Sequence, residues 1–207
     1  DFRHDEWGVD ITVSASQKGL MLPPGLSFNA VSDDALARAR QSQSLHSYWR
    51  WDAMAENNSK GYFPYTPATN LLYGLDAALQ LIHAEGLDNV IARHTRLAEA
   101  TRVAVAAWEL ENVCLNEHEY CNSTTAVFAP EETDADELRE IVLKRFNMSL
   151  GTGLGLLKGQ IFRIGHLGDF NELMLMGTLS GVEMGLKLAN MPHRSGGVQV
   201  AMDFLAQ

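Results

Sequence analysis

A lysine in the first twenty residues has the clearest potential for chemistry. Lys18 follows a segment, 8–14, in which apolar and polar residues alternate as in a β-strand, and its neighbours include Ala, Ser and Gly. Small neighbours leave room for a planar ligand, and a partly desolvated ε-amine is neutral often enough to act as a nucleophile. The alternative is an ordinary solvated surface lysine, which the spacing alone favours.

The other reactive side chains form no pattern of comparable weight. The histidines lie apart, without the spacing of metal ligands, and we expect a packed position for His94 and a structural role for His166. The glycines at 151–155 superficially suggest a nucleotide-binding loop, but no Gly-Lys-Ser/Thr sequence and no strand–GxGxxG–helix context accompany them. We therefore expect a mobile glycine loop at 151–155.

Composition excludes several classes of protein. Of the 207 residues, 46% are hydrophobic and 20% are charged, so the chain can bury a core and is not a disordered protein. A net charge of −10 provides no basic field for a nucleic-acid partner. No apolar run approaches the roughly 20 residues that a membrane span needs. Two cysteines, Cys114 and Cys121, cannot build a disulfide framework, so we expect a reduced, cytoplasmic protein.

Periodicity and capping residues predict an α/β chain. Strands at 8–14 and 26–31 precede a helix that Ser32–Asp34 can cap, and 41–62 has no clear period and is expected to be a long loop or a broken helix. Further strands are predicted at 112–115, 124–129, 148–150 and 161–164. Further helices are predicted at 67–86 and 88–108, after Thr133–Asp136, from Asp169–Glu172 to Pro192, and after Ser195.

A boundary between two domains is predicted near residue 86. Thr66 and Pro67 form a typical helix start, with Thr at the N-cap and Pro at the first helical position, and Gly86 can end that helix. The elements after the boundary predict a small α/β domain. The first domain is therefore expected at 1–86 and the second at 87–207.

Three motifs, in order along the chain, resemble one known family. Ser-Ala-Ser-Gln-Lys-Gly-Leu at 14–20, followed by Pro-Pro-Gly at 23–25, is similar to the lysine segment of class V (fold type I) pyridoxal-phosphate aminotransferases. Phe-Arg-Ile-Gly-His-Leu-Gly-Asp at 162–169 resembles their carboxylate-binding arginine motif. Phe-Pro-Tyr-Thr-Pro at 63–67 resembles the segment that reaches the cofactor phosphate of the neighbouring subunit. Within this family the chain most resembles the bacterial serine–glyoxylate and alanine–glyoxylate aminotransferases.

The resemblance implies roles for four residues. Lys18 would bond covalently to the aldehyde of pyridoxal 5′-phosphate and would later carry a proton for the reaction. Gln17 and Thr66 would bind the cofactor phosphate, Thr66 from a helix N-terminus and across a dimer interface. Arg163 would hold the substrate carboxylate through two hydrogen bonds. Without the motif, the expectation for Arg163 would be a strand arginine paired with a nearby Asp or Glu.

The implied activity is the transfer of an amino group from L-serine, or alternatively L-alanine, to glyoxylate, which becomes glycine. The implied fold is the C-terminal part of the cofactor-binding large domain at 1–86, followed at 87–207 by a small α/β domain with a mainly antiparallel sheet. The family's other cofactor residues precede its lysine and have no counterpart here, so the resemblance covers about its C-terminal half. We expect this piece alone to be inactive and the whole protein to form a homodimer or a larger assembly, with Tyr48, Trp49 and Trp51 as interface or core residues.

Three alternatives stay open from the sequence. A related cysteine desulfurase would need a reactive cysteine on a flexible loop, for which Cys114 and Cys121 are candidates by position only. A non-catalytic remnant would only dimerise or bind a partner. A nucleotide-binding protein would use the glycines at 151–155, and it is the weakest of the three.

Overall fold

The computed structural model describes residues 2–207 and divides the chain into two compact units, Asp1–Glu85 and Gly86–Gln207. Within the described residues, the first unit contains two strands and three α-helices, and the second contains three strands and four α-helices. None of the helices in this part of the chain combines the length and apolar character that a membrane span requires.

The first unit opens with a pair of antiparallel strands in which Ile11 lies opposite Val31. Ser32 caps the first helix as predicted, because its side chain accepts a hydrogen bond of 3.2 Å from the backbone N–H of Ala35. The aromatic segment 41–62 contains a broken helix, also as predicted. In chain order the elements are β1 (Ile11–Ala15), β2 (Ser27–Val31), α1 (Asp33–Gln41), a 3-10 turn (Ser47–Trp49), α2 (Trp51–Asn58) and α3 (Thr69–Glu85).

The predicted helix start at Thr66 is wrong. The N–H groups of Leu71 and Leu72 both donate to the carbonyl of Ala68, at 3.0 and 3.2 Å, so the first helical hydrogen bonds begin two residues after Thr66. Pro67 instead forms a separate tight turn, in which its carbonyl accepts from the N–H of Thr69 at 2.9 Å. Thr66 is exposed and precedes α3 without capping it.

The second unit is a three-stranded antiparallel sheet with four helices packed on it and on one another. Arg163, in the middle strand of the sheet, lies opposite Ala126 on one side and opposite Gly151 on the other. In chain order the elements are α4 (Leu87–Ala107), β3 (Thr124–Phe128), α5 (Ala135–Phe146), β4 (Gly151–Thr152), β5 (Ile161–Gly165), α6 (Glu172–Leu188) and α7 (Gly197–Leu205), and the sheet order is β3-β5-β4.

The predicted strand at 112–115 does not form. The N–H of Val113 donates to the carbonyl of Ala126, and the N–H of Phe128 donates to the carbonyl of Glu111, so the chain lies beside β3 for three residues only. A 3-10 turn at Glu117–Glu119 follows. The strand expected at 148–150 lies instead at Gly151–Thr152. Apolar residues predict extended chain in both segments, but a strand exists only where that chain forms a ladder of hydrogen bonds with a neighbouring strand.

The core of the second unit contains the apolar faces of α4 and α6. Leu97, Val105 and Trp108 of the α4 region are fully buried, as are Leu175, Leu179, Val182 and Leu186 of α6. Glycines let α6 approach its neighbours closely: a Cβ on Gly181 would lie 2.6 Å from Met148, and one on Gly185 would lie 2.5 Å from Val142. Gly181 and Gly185 therefore serve close packing in the domain, whereas Gly177 has no atom within 4 Å of the place where a Cβ would lie.

A buried carboxylate joins three helices of this unit. Glu183 of α6 accepts hydrogen bonds from the indole Nε1 of Trp108 at 2.8 Å and from the N–H groups of Gly196 at 2.8 Å and Val198 at 3.1 Å, where α7 begins. Burial would raise the pKa of Glu183, but these three donors stabilise the carboxylate and lower its pKa below the usual value. The charge of Glu183 is therefore satisfied inside the core.

Candidate active site

The turn that carries Lys18 is held by the buried side chain of Ser16. The Ser16 hydroxyl donates to the carbonyl of Pro23 at 2.8 Å and accepts from the N–H of Leu26 at 3.2 Å. Its backbone N–H and carbonyl bond to Leu26 and Leu22, each at 3.1 Å. These four bonds close the base of the loop 16–26, so the backbone around Lys18 is fixed. The sequence suggested only that Ser16 is small; its clamping role needs residues seven to ten positions away.

The side chain of Lys18 is exposed and unengaged. It makes no hydrogen bond or ion pair with any residue in 2–207, and neighbouring Gly19 has no heavy atom within 4 Å of the place where a Cβ would lie. Gln17, beside it, is exposed as well. The loop therefore presents a free primary amine with open space around it, which is what a carbonyl compound needs in order to react there.

Thr66 lies in an exposed segment rich in aromatic side chains. The ring of Tyr65 stacks on Tyr48 with 4.8 Å between centroids, and the Tyr65 hydroxyl donates to the carbonyl of Ser47 at 3.2 Å. Tyr48 is 59% exposed and Trp49 71% exposed. Lys18, Gln17 and Thr66 all belong to the first unit, whereas Arg163 belongs to the second.

Arg163 is held at one point of its guanidinium and free at the others. Its Nε donates to the carbonyl of Thr152 at 2.9 Å across the β4–β5 pair. Within residues 2–207 no Asp or Glu forms an ion pair with it, in contrast to the pairing that would be expected for Arg163 without the motif. The Nε bond fixes the plane of the guanidinium, and the two terminal nitrogens keep their donors for an incoming carboxylate.

Two of the glycines at 151–155 allow close packing, and the third has a backbone conformation that favours glycine. Gly151 and Thr152 form β4, so the expected loop is wrong there, although the segment does adjoin Arg163. A Cβ on Gly153 would lie 2.0 Å from the carbonyl oxygen of Leu157, and Gly155 has a φ of 56°. A phosphate-binding loop between a strand and a helix N-terminus is not what these residues form.

Two histidines fix the chain that follows β5. His166 is fully buried; its Nδ1 donates to the carbonyl of Asn122 at 3.1 Å, and its Nε2 accepts from the hydroxyl of Thr125 at 3.0 Å. Burial lowers the pKa of His166 to about 4, so the ring is neutral at pH 7. The Nε2 of His94 accepts from the N–H of Gly168 at 3.0 Å. The structural role predicted for His166 is confirmed.

Arg93 also holds this segment, which the helical pattern did not predict. From the sequence alone, the helical periodicity of 88–108 predicts that Arg93 points away from the core. Its Nη1 nevertheless donates to the carbonyls of Gly168 and Phe170, both at 2.8 Å. The contacts join residues 75 and 77 positions apart, so no local signal could have revealed them.

The two cysteines are free thiols. The Sγ of exposed Cys121 lies 2.9 Å from the hydroxyl of Ser123. Partial burial would raise the pKa of Cys121, but hydrogen bonds from Ser123 and Thr124 outweigh that effect and lower its pKa below the usual value. In the part of the chain that the structure describes, no three His, Cys, Asp or Glu side chains are grouped so as to hold a metal ion.

Comparison with known proteins gives a consistent result. The family model described as aminotransferase class-V matches residues 2–156. The chain is 48% identical over 207 residues to a serine–glyoxylate aminotransferase of Arabidopsis thaliana, covering 99% of this chain and 52% of the relative. It is 46% identical over 190 residues to a serine–glyoxylate aminotransferase of Methylorubrum extorquens, covering 89% of this chain and 47% of the relative. The chain thus spans about half the length of the curated relatives it matches.

A solved structure agrees with the sequence relatives. The crystal structure of pyridoxamine–pyruvate aminotransferase from Mesorhizobium loti is 28% identical and superposes with a TM-score of 0.92, covering 100% of this chain and 54% of that one. The predicted α/β class with its antiparallel sheet is therefore confirmed, as is the predicted resemblance to the class V aminotransferases. This chain belongs to the class V aminotransferase family.

Proposed function

We propose that the intact protein containing this chain is a pyridoxal-phosphate-dependent transaminase that moves the amino group of a small L-amino acid, serine in the first place, to glyoxylate. Family membership supports the reaction class. The single observation that carries the substrate assignment is the guanidinium of Arg163, which is fixed through Nε and has no carboxylate partner within residues 2–207. A site of this form suits a substrate with one carboxylate.

Lys18 is the residue that would hold the cofactor. Its amine is exposed, has no partner among the described side chains and projects from a loop closed by Ser16. A loop that is fixed in its backbone and open around its amine fits a planar aldehyde. When bound there, pyridoxal phosphate would supply the carbonyl that receives the amino group and the electron sink for the bond-breaking steps.

The same lysine would carry the proton. With the cofactor and substrate bound, the Nζ of Lys18 would take the α-proton of the substrate and return it at a different atom. The flexible four-carbon stem of lysine lets Nζ reach both positions. Arg163 would keep the substrate carboxylate stationary during that transfer, so that the α-carbon stays in one place.

Gln17 and Thr66 would bind the cofactor phosphate. Both side chains are exposed and carry hydrogen-bond donors, so both are available to an anion. Thr66 does not cap α3, and a contribution from the helix dipole is therefore not part of this role. The proposal for Thr66 rests on its hydroxyl alone.

The proposed setting is a cytoplasmic homodimer. Exposed Tyr48 and Trp49, together with Tyr65, form an aromatic surface of the kind enriched at protein interfaces. We propose that Thr66, next to Tyr65, reaches the phosphate bound to a second copy. The free thiols of Cys114 and Cys121 agree with a reducing compartment.

The donor can be tested with a panel of amino acids. The intact protein, loaded with pyridoxal phosphate, would be assayed for glycine formation from glyoxylate with serine, alanine or aspartate as the donor. We expect serine and alanine to react and aspartate to react poorly, because Arg139, the other arginine bonded to this part of the sheet, is already engaged by Asp136. Faster turnover with aspartate would contradict the assignment to monocarboxylate donors.

The same preparation distinguishes the alternative functions. Release of sulfide from cysteine, without glycine formation, would indicate a desulfurase that uses Cys114 or Cys121. A protein that gains no visible absorbance when pyridoxal phosphate is added would be a non-catalytic dimerising remnant. The expected result is absorbance from the bound cofactor and glycine formation.

A further inference from the structure

Gly151 leaves room for the side chain that crosses it. In the β4–β5 pair Gly151 lies opposite Arg163. A Cβ built on Gly151 would lie 3.0 Å from both Cβ and Nε of Arg163 and 3.4 Å from its Cζ. Contacts of that length are tighter than side chains normally accept, so any residue larger than glycine moves the guanidinium by a few tenths of an ångström.

Thr152 supplies the acceptor that orients the guanidinium. Its carbonyl takes the Nε hydrogen bond of Arg163 at 2.9 Å. Its hydroxyl shares one proton between two acceptors, the carbonyl of Gly153 at 3.1 Å and Oδ1 of Asp136 at 3.2 Å. Because β4 is only two residues long, its ladder alone fixes the Thr152 carbonyl weakly, and the side-chain bond to Asp136 adds an anchor from α5.

The Asp136 carboxylate is in turn held by Arg139, which also bonds to the chain directly before β4. Arg139 of α5 pairs with Asp136 at 2.5 Å, and its Nε donates to the carbonyl of Leu150 at 3.0 Å. Hydrogen bonds from Arg139 and Thr152 lower the pKa of Asp136, so the carboxylate is charged at neutral pH. The first turn of α5 thus contacts the chain directly before β4 and the strand itself.

We propose that Gly151, Thr152 and Asp136 are positioning residues for carboxylate binding: they set the place and plane of the Arg163 guanidinium, and of these four residues only Arg163 contacts the carboxylate. This inference rests on the proposed function, because it takes Arg163 as the carboxylate-binding group. It assigns the glycine of β4 to substrate affinity and gives the Asp136–Arg139 pair a purpose beyond helix stability.

The test measures binding of glycolate, a small carboxylate that lacks the carbonyl of glyoxylate, to the intact cofactor-loaded protein by calorimetry. We expect Gly151→Ala to raise the dissociation constant about tenfold, the loss of one charge-assisted hydrogen bond. Thr152→Val should raise it about threefold, and Thr152→Ser, which keeps the hydroxyl, should restore it. Gly177→Ala is the matched control, since nothing lies within 4 Å of its added methyl group.

A double-mutant cycle distinguishes positioning from general damage. In an Arg163→Ala background, Gly151→Ala should change the glycolate dissociation constant less than about twofold, because there is no guanidinium left to displace. An equal tenfold loss in both backgrounds would overturn the inference. If Arg163→Ala itself left glycolate binding unchanged, the proposed function would fail. If Arg163→Ala abolished binding while Gly151→Ala did nothing, only the positioning role would be wrong.

Discussion

The two main residues of the candidate site, Lys18 and Arg163, are held in opposite ways. Around Lys18 the backbone is fixed through Ser16 and the amine has no partner; at Arg163 the side chain itself is fixed, through Nε and the carbonyl of Thr152. A group that must react and then move a proton between two atoms needs a mobile end. A group that only binds gains affinity when its donors are already oriented. The structural difference therefore matches the proposed division of labour.

Removing the mobile amine should have the largest effect. Lys18→Ala is expected to lower turnover of serine and glyoxylate by about 100- to 10 000-fold, the range that a positioned proton-transfer group contributes. The melting temperature of the cofactor-free protein should hardly change, because the side chain is exposed and has no partner among the described residues. Rates come from glycine formation, with Lys144→Ala on the exposed face of α5 as the control. Retained turnover in Lys18→Ala would remove the lysine from the mechanism.

Removing the fixed guanidinium should have the next largest effect. Arg163→Ala is expected to lower kcat/KM for serine by at least about 100-fold, since two charge-assisted hydrogen bonds to the carboxylate are lost. Arg163→Lys keeps the charge but cannot offer two parallel donors, so its kcat/KM should lie between that of the unchanged protein and that of Arg163→Ala. Cofactor retention, read from the absorbance of the bound pyridoxal phosphate, should be unaffected in both. A variant with normal kcat/KM would show that the carboxylate binds elsewhere.

The region after β5 should be sensitive to acid in a way that the Lys18 loop is not. The folded pKa of His166, about 4, lies below its unfolded value, so the unfolded state takes up protons first and stability is lost as pH falls from about 6.5 towards 4. We expect a loss of roughly 2 kcal/mol between pH 7 and pH 4.5. Urea unfolding at several pH values measures it. His166→Gln should flatten the dependence; an equal slope in that variant would assign it to other groups.

Glycine substitutions in α6 should separate close packing from open surface. Gly185→Ala places a methyl 2.5 Å from Val142 and is expected to destabilise the unit by about 1 to 3 kcal/mol. Gly177→Ala meets no atom within 4 Å and should stabilise it by about 1 kcal/mol through helix propensity. Unfolding free energies of the two variants give both signs. A destabilising Gly177→Ala would mean that this face is covered in the intact protein.

Periodicity predicted the helices well, because the apolar residues that a helix buries recur every three to four residues along the sequence. The apolar residues that recur at helical spacing in α4 and α6 are the buried ones, and Ser32 caps α1 as expected. The same reasoning failed at Thr66, where the local signal for a helix start is present but the first hydrogen bonds are accepted by Ala68. It also failed at 112–115, where the chain bonds to β3 only through Glu111 and Val113 and then leaves it.

For the candidate site, the sequence could predict only which residues to propose, not the contacts that hold them. The sequence motifs singled out Lys18 and Arg163, but not what holds them. The bonds of Ser16 to Pro23 and Leu26, and of Arg163 to Thr152, join residues that only the folded chain brings together. In a sequence, clustered glycines such as those at 151–155 predict a flexible loop, because glycine restricts the backbone least. In the structure Gly151 instead makes room for the side chain of Arg163.

The most direct test of the account is to find the lysine that carries the cofactor. The intact protein would be loaded with pyridoxal phosphate, reduced with borohydride and digested, and the peptides would be mapped by mass spectrometry. We predict a pyridoxyl label on Lys18 and on no other lysine. A label at another lysine, or a protein that takes up none, would contradict the account.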